Sequence, residues 1–163
     1  MSTGPGDEQD LSHYRADGSA HMVDVSAKAT TRRQATASGL LRTRPDVVER
    51  IMSGDLPKGE ALATARIAGI LAAKQTPFLV PMCHPLSLSA ITVDFRAQGG
   101  AVRIEATVAT TGPTGVEMEA LTAVSVAALT LFDMVKAVDH TARIDAVQVE
   151  AKTGGTHDWT RDD

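Results

Sequence analysis

The stretch from Thr114 to Ala137, TGVEMEALTAVSVAALTLFDMVKA, constrains the fold of this chain more than any other. It follows a Gly-Pro-Thr-Gly turn at 112–115, and beyond Gly115 it contains neither proline nor glycine. Apolar residues at positions 121, 124, 128, 131 and 135 recur at helical spacing and so form one stripe that packs against a core. The pattern therefore predicts a long and largely buried helix.

This helix also carries charged residues that a buried helix rarely holds. Glu117 and Glu119 fall in its first turn, where the helix dipole favours negative charge. Asp133 and Lys136 lie near its other end, three positions apart and therefore on one face. Spacing alone favours a core helix with an acidic start and one surface ion pair. Because buried acids are costly unless paired, a functional interpretation also stays open.

Composition narrows the class of protein. A chain of 163 residues is long enough for one domain with a hydrophobic core, and with only 3% aromatic residues that core must consist of Ala, Val, Leu and Ile. A net charge of −4 argues against a general nucleic-acid binder, which would show a basic face. It leaves room for a small anionic ligand held by a few local cations.

Cysteine content and hydropathy indicate the compartment. The single Cys83 can form no internal disulfide, and one thiol cannot hold an iron–sulfur cluster. The sequence has no apolar signal-like segment near its start and no long apolar run without charges. We therefore expect a cytoplasmic protein without a membrane partner.

The remaining segments predict a small α+β domain. We expect a flexible N-terminal tail at 1–20, one domain at 21–155 and a polar C-terminal tail at 156–163. Periodicity and turn residues predict a strand within 28–43, helices at 45–53 and 60–75, a hairpin of strands at 90–96 and 101–110, the long helix, and a last strand at 142–152. The order β-α-α-β-β-α-β suggests a two-layer domain of the split βαβ type.

Three further features each allow two interpretations. Lys28, Arg32 and Arg33 crowd together, either as a solvated basic edge or as a phosphate contact. Lys58, between proline and glycine in a tight loop, is either a surface charge or a rigid chemical group. His84 is either a histidine at the core edge or a ligand contact. A structural zinc site is not expected, because the chain contains no cysteine other than Cys83.

Four blocks of this sequence resemble the cyclic pyranopterin monophosphate synthases, the molybdenum cofactor biosynthesis protein C (MoaC) family. The blocks are HMVDVSAKATTRR, LPKGEALATARIAGILAAKQTPFLVPMCHPL, TGVEMEALTAVSVAALTLFDMVKAVD and AKTGG, and they span His21 to Gly155. The resemblance implies a ferredoxin-like two-layer sandwich, with an antiparallel sheet packed against helices. It also implies a homohexamer, a trimer of dimers, with active sites near the dimer interface.

The resemblance implies an activity and its residues. The family converts 3′,8-cyclo-7,8-dihydroguanosine 5′-triphosphate to cyclic pyranopterin monophosphate and releases pyrophosphate. Its catalytic lysines and aspartate correspond to Lys58, Asp133 and Lys136. The expected substrate-binding residues are Met82, Cys83, His84, Met118, Glu119, Glu117, Arg33, Lys28, Lys74 and Lys152.

The residue types suit these roles. Ring opening and rebuilding need proton donors and acceptors rather than redox chemistry, so we expect no required cofactor and no resident metal, although Mg²⁺ can accompany the triphosphate. The basic residues suit a triphosphate. The Glu119 carboxylate suits the guanidine-like edge of guanine, which presents two donors.

Two positions depart from the family pattern. Pro113 stands where a lysine is usual before the long helix, and Thr156 stands where a lysine usually follows the last strand. Two anion contacts are therefore missing unless His157 or Arg161 replaces them.

Two other functions are compatible with this sequence, and one hypothesis concerns how subunits assemble the site. The chain could be a catalytically silent family member acting as a regulatory subunit, or a ferredoxin-like nucleotide-binding scaffold. The intact Lys58, Asp133 and Lys136 argue against the first. Because local sequence gives no reason for Lys58 and Lys136 to meet within one subunit, we expect neighbouring subunits to supply them.

Overall fold

The computed structural model describes residues 13–162, so most of the predicted N-terminal tail (1–20) lies outside the described residues. Of the part that is described, Tyr14 and Ala20 form an isolated antiparallel bridge. The strands and helices are β1 (Thr31–Arg42), α1 (Pro45–Ser53), α2 (Ala61–Lys74), α3 (Thr76–Leu79), β2 (Leu88–Ala97), β3 (Ala101–Gly112), α4 (Glu117–Val135), β4 (Arg143–Thr153) and β5 (Trp159–Thr160).

The strands form one antiparallel sheet in the order β2-β3-β1-β4-β5. The chain runs from β1 through the first helices to β2, and β3 then inserts between those two strands. This split βαβ arrangement confirms the predicted α+β, ferredoxin-like sandwich. The one-turn helix α3 and the two-residue strand β5 were not predicted. β5 pairs Trp159 with Lys152 of β4, so the chain turns back on the sheet after Gly155.

Helix α4 lies in the core, as its periodicity predicts. Its buried side chains are mostly small, and its inner face lies very close to the sheet: a Cβ on Gly39 of β1 would come 2.8 Å from Val124 Cγ1. By length and composition α4 could also cross a membrane, but 56% of the qualifying window is buried inside the domain. That burial is what a core helix shows.

Close packing of α2 against α4 sets the geometry of the helical layer. A Cβ on Gly69 of α2 would lie 2.9 Å from the Ala123 carbonyl oxygen and 3.3 Å from Ala127 Cβ. The Ala- and Gly-rich sequence of α2 therefore lets the two helices touch almost backbone to backbone. Lys58, just before α2, contacts Asp133, whereas Gly69 contacts Ala123, so the two helices run in opposite directions.

A buried aspartate fixes the chain after α4. Asp139 accepts hydrogen bonds from the Thr43 hydroxyl at 2.7 Å and from the Thr141 hydroxyl and backbone N–H at 2.6 and 2.9 Å. Hydrogen bonds from Thr141 and then Thr43 hold the pKa of this carboxyl well below its ordinary value. Asp139 thereby ties the end of α4 to the junction between β1 and α1.

Candidate active site

One cluster joins the three predicted catalytic residues within a single chain. The Lys58 ammonium donates to the Asp133 backbone carbonyl at 2.9 Å and to its carboxylate at 3.2 Å. Lys136 Nζ lies 2.7 Å from the other oxygen of the same carboxylate. We call Lys58, Asp133 and Lys136 the lysine cluster. One carboxylate thus holds two ammonium groups side by side.

The packing of α2 on α4 explains this cluster. The loop before α2 closes with the Gly59 N–H donating to the Leu56 carbonyl at 3.0 Å, and Leu56 itself is buried. The loop therefore presents Lys58 to the last turn of α4. The expectation that neighbouring subunits supply Lys58 and Lys136 was wrong, because long-range helix packing, which local sequence does not reveal, brings them together.

The lysine cluster is accessible to a ligand. Its side chains are 43%, 56% and 52% exposed for Lys58, Asp133 and Lys136. Hydrogen bonds from Lys136 and then Lys58 hold the pKa of the Asp133 carboxyl below its ordinary value, so this group stays ionised at neutral pH. The cluster therefore presents two proton donors around a fixed anion.

A second group of predicted residues lines a cleft of about 340 Å³ at the other end of α4. We call it the Glu119 cleft. The predicted residues that line it are Lys28, Met82, Cys83, His84, Glu117, Met118 and Glu119. They come from the segment before β1, the loop after α3 and the first turn of α4. The structure thus brings most of the predicted substrate-binding residues together.

Glu119 is the unusual group in this cleft. Glu119 is only 3% exposed. Its burial, reinforced by the charge of Glu117, raises the pKa of the Glu119 carboxyl to about 6. Burial and the nearby Glu119 also raise the pKa of the Cys83 thiol. At neutral pH the cleft therefore offers a largely ionised carboxylate and a protonated thiol. Such a carboxylate can accept two hydrogen bonds or exchange a proton near neutrality.

Residues that sequence reasoning did not select also line the Glu119 cleft. Val23 and Val25 precede β1, and Leu86 follows His84. His13 joins them from the predicted tail, and its carbonyl accepts from the His21 N–H at 2.8 Å. No local pattern indicated a role for His13. Its place depends on how the N-terminal segment folds back over the domain.

A third predicted group lies in an adjoining cleft of about 440 Å³, which we call the anion cleft. Lys28, Arg33 and Lys152 line it, and Lys152 Nζ lies 3.4 Å from Glu117 Oε1. The two clefts share Lys28, Thr114, Gly115 and Glu117. One elongated molecule can therefore occupy both.

Thr156, which departs from the family pattern, and Lys74, one of the predicted cations, differ in their placement. Thr156 and His157 both line the anion cleft, and the Thr156 hydroxyl lies 3.2 Å from His157 Nδ1. His157 therefore lies in the anion cleft beside Thr156, the position at which a lysine is usual in the family. Lys74 lines neither cleft and is exposed at the end of α2, so the structure does not group it with the other predicted cations.

The lysine cluster and the Glu119 cleft are far apart in one chain. Asp133 and Glu119 are fourteen positions apart on α4 (133 − 119), which at 1.5 Å per residue separates them by about 21 Å. Groups that transfer protons must lie within hydrogen-bond reach of the reacting atoms. The two parts of one chain therefore do not surround one reacting centre.

The donor set gives no indication of a metal centre. In the stretch from 13 to 162, no group of three or more His, Cys, Asp or Glu side chains is arranged to hold a metal ion. The charged groups of the clefts are instead three cations and two carboxylates. That set suits an anionic organic ligand.

Comparison with known proteins gives consistent relatives. Residues 22–155 match the model of the MoaC family. A cyclic pyranopterin monophosphate synthase of Corynebacterium efficiens is 62% identical over 93% of this chain and 98% of its own length. A protein of the same name from Streptomyces coelicolor is 60% identical over 95% of this chain and 92% of its own length. Cyclic pyranopterin monophosphate synthase 2 of Mycobacterium tuberculosis is 58% identical over 93% of this chain and 92% of its own length.

Proposed function

The chain belongs to the MoaC family, and from this membership we infer that it is a lyase of molybdenum cofactor biosynthesis, a cyclic pyranopterin monophosphate synthase. We propose that its substrate is 3′,8-cyclo-7,8-dihydroguanosine 5′-triphosphate and that pyrophosphate is the second product. The observation that favours an active enzyme over a catalytically silent subunit is the intact lysine cluster, in which Asp133 contacts both lysines.

We assign acid–base chemistry to the lysine cluster. A lysine ammonium group donates a proton to the rearranging ring, and a deprotonated lysine amine accepts the proton of the hydroxyl that attacks the phosphate as the bond to pyrophosphate breaks. Asp133 fixes both nitrogen atoms through its two oxygens and its carbonyl. Because the three groups are already in contact, binding a substrate requires little reorganisation of the side chains.

We assign recognition to the two clefts. Glu119 accepts hydrogen bonds from the guanidine-like edge of the base, and its burial strengthens those bonds. Lys28, Arg33 and Lys152 balance the charge of the bound triphosphate. Lys152 must exchange its contact with Glu117 for the phosphate. Any Mg²⁺ enters with the triphosphate, and the proposal requires no resident cofactor.

We propose that the working form is a homohexamer, a trimer of dimers, in which two subunits complete each site. The Glu119 cleft of one subunit then faces the lysine cluster of another. The separation of about 21 Å within one chain supports this arrangement. Large apolar side chains exposed on the helical layer also support a subunit contact; these are Ile67, Leu71, Phe78, Leu79 and Leu129.

We also propose a cytoplasmic location and no nucleic-acid or membrane partner. The net charge of −4 and the absence of cysteines other than Cys83 are consistent with this proposal. The small-molecule substrate is then the principal partner apart from further copies of this chain.

A turnover assay tests the proposed function. Purified protein and the cyclised GTP-derived triphosphate should yield cyclic pyranopterin monophosphate and an equal amount of pyrophosphate. Arg96→Ala, which removes an exposed cation on β2, should react like the wild type. Tight binding of the triphosphate without any product would contradict the proposal and support the silent-subunit alternative.

A further inference from the structure

The turn after β4 is shaped around the side chain of Arg33. Gly154 and Gly155 both adopt left-handed backbone, with φ of +87° and +83°. A Cβ on Gly155 would lie 2.5 Å from Arg33 Nη1 and 3.3 Å from its Cζ. A Cβ on Gly154 would collide with the Arg32 carbonyl oxygen. The backbone thus approaches Arg33 as closely as only glycine allows.

The other side of the Arg33 guanidinium is also held. Its Nε donates to the Gly112 carbonyl at 3.1 Å, at the end of β3. The half-buried side chain therefore lies between the Gly112 carbonyl and the backbone of Gly155, with Lys28 and Lys152 lining the same cleft. A guanidinium has five N–H donors, and among residues 13–162 only the Nε donor of Arg33 has a hydrogen-bond partner. The remaining donors can face an anion.

The glycine turn is held in place from outside the cleft. Asp158 Oδ1 accepts a hydrogen bond from the Gly154 N–H at 2.8 Å. The following strand β5 pairs with β4, and the Arg161 N–H donates to the Glu150 carbonyl at 2.7 Å. The segment that composition assigned to a polar tail is therefore tied to the sheet, and it fixes where Gly155 meets Arg33.

We propose that Gly155 is a positioning residue for anion binding. The absence of a side chain at Gly155 lets the Arg33 guanidinium lie against the turn and point its remaining donors at the terminal phosphates of the ligand. A planar guanidinium binds phosphate oxygens in pairs, so its orientation determines how many bonds it makes. The identity of the ligand as a triphosphate rests on the proposed function.

Binding of inorganic pyrophosphate, measured by calorimetry on the full chain, tests this inference without turnover. Gly155→Ala should weaken pyrophosphate binding about tenfold or more, since a displaced guanidinium loses charge-assisted hydrogen bonds. With the full substrate, KM should rise by a similar factor while kcat changes less than about twofold, because the acid–base groups are untouched. Unchanged pyrophosphate affinity in a folded Gly155→Ala protein would overturn the inference.

Gly99→Ala is the matched control. Gly99 also has positive φ, at +58°, but a Cβ there meets no atom within 4 Å. Both variants therefore introduce the same kind of backbone strain, and only one meets Arg33. Gly99→Ala should leave pyrophosphate affinity unchanged, and an equal loss in both variants would mean that general strain, not Arg33, is responsible.

A double-mutant cycle separates positioning from mere structure. In an Arg33→Ala background, Gly155→Ala should weaken pyrophosphate binding no further, because the group it positions is already gone. Additive losses would contradict a role through Arg33. If Gly155→Ala does not fold, Asp158→Ala takes its place, since it releases the Gly154 N–H without adding a side chain. It should weaken binding only when Arg33 is present.

This design keeps the two hypotheses apart. A protein that binds pyrophosphate through Arg33 and Gly155 but forms no product would contradict the proposed function and leave the positioning role intact. A protein that turns over normally with Gly155→Ala and an unchanged KM would retain the function and lose the positioning role.

Discussion

At the scale of single residues, Asp133 organises the candidate chemistry. Its carboxylate and its own carbonyl hold Lys58, and the second carboxylate oxygen holds Lys136. All three side chains are about half exposed, so these ion pairs add little to stability. The contacts instead fix the positions of two proton donors.

Lys58→Ala should therefore separate activity from stability. We expect a loss of turnover of about a hundredfold or more, because a positioned acid–base group is removed. The free energy of unfolding should change by less than about 1 kcal/mol, as for an exposed ion pair. Turnover and urea unfolding of the same preparation check both expectations. A variant that loses both equally would mean that Lys58 supports the fold and not the reaction.

Unlike Lys58, Glu119 should affect the stability of the fold, and its effect should depend on pH. Its ordinary pKa of 4.5 is raised to about 6, so between these pH values the folded chain binds more protons than the unfolded chain. The free energy of unfolding therefore falls as pH rises through this window, by about 2 kcal/mol at 1.36 kcal/mol per pKa unit.

Glu119→Gln removes this titration. The stability of the variant relative to wild type should increase by up to about 2 kcal/mol between pH 4.5 and pH 7, while turnover falls. Urea unfolding at both pH values and a fixed protein concentration measures this difference in the free energy of unfolding. Glu49→Gln, on the exposed side of α1, is the control and should show no such change. The same difference at both pH values would show that Glu119 has an ordinary pKa.

At the scale of secondary structure elements, the contact between α2 and α4 positions the lysine cluster. Gly69→Ala places a methyl group 2.9 Å from the Ala123 carbonyl oxygen. Alanine favours a helix by about 1 kcal/mol over glycine, yet overpacking should dominate and lower the free energy of unfolding by about 1–3 kcal/mol. Denaturant unfolding measures it.

The reverse substitution on an exposed part of the same helix is the control. Ala63→Gly should cost only the propensity difference of about 1 kcal/mol, because Ala63 is exposed. If Gly69→Ala instead stabilises the protein, the two helices do not touch as closely as the structure places them.

The sequence predicted the long elements well and the short ones poorly. Periodicity located α4 and the β2–β3 hairpin, because each contains many residues that repeat one pattern. It did not indicate α3 or β5, since elements of four and two residues carry no period. The turn that brings Gly155 to Arg33 was also not predicted, because it depends on pairing between β4 and β5.

The candidate site was predicted mainly through family resemblance. Seven of the predicted substrate-binding residues line the Glu119 cleft together, since they form contiguous motifs such as Met82-Cys83-His84, and their role in binding stays a prediction. The meeting of Lys58 with Lys136 was not predicted, because it results from tertiary packing between α2 and α4. The place of His13 was not predicted for the same reason, whereas Lys74 was included although it lines neither cleft.

At the scale of the whole molecule, the local cations of the anion cleft must act against a net charge of −4. Ligand attraction is therefore short-ranged and easily screened. Binding of the triphosphate should weaken as ionic strength increases, because the Debye length falls to about 10 Å at 0.1 M salt. Titrations at several salt concentrations measure this, with guanosine as the uncharged control. Salt-independent affinity for the triphosphate would contradict a role for these cations.

The central claim is that each working site combines the lysine cluster of one subunit with the Glu119 cleft of another. Subunit complementation tests it most directly. Lys58→Ala and Glu119→Gln are each expected to be inactive alone. In a mixed dimer one site carries both lesions and the other carries none. After subunit exchange, an equal mixture should regain up to about a quarter of wild-type turnover, since half of the closed two-fold dimers are mixed.

Lys58→Ala mixed with Lys136→Ala is the decisive control, because both lesions lie in the lysine cluster of their own chains. That mixture should stay inactive, as every site then lacks one lysine. Exchange is verified by mixing tagged and untagged subunits and purifying hybrids. If exchange is demonstrated, recovery in the mixture of Lys58→Ala with Glu119→Gln, but not in the mixture of the two lysine variants, supports the shared site. No recovery with that pair, or recovery with the two lysine variants, would contradict it.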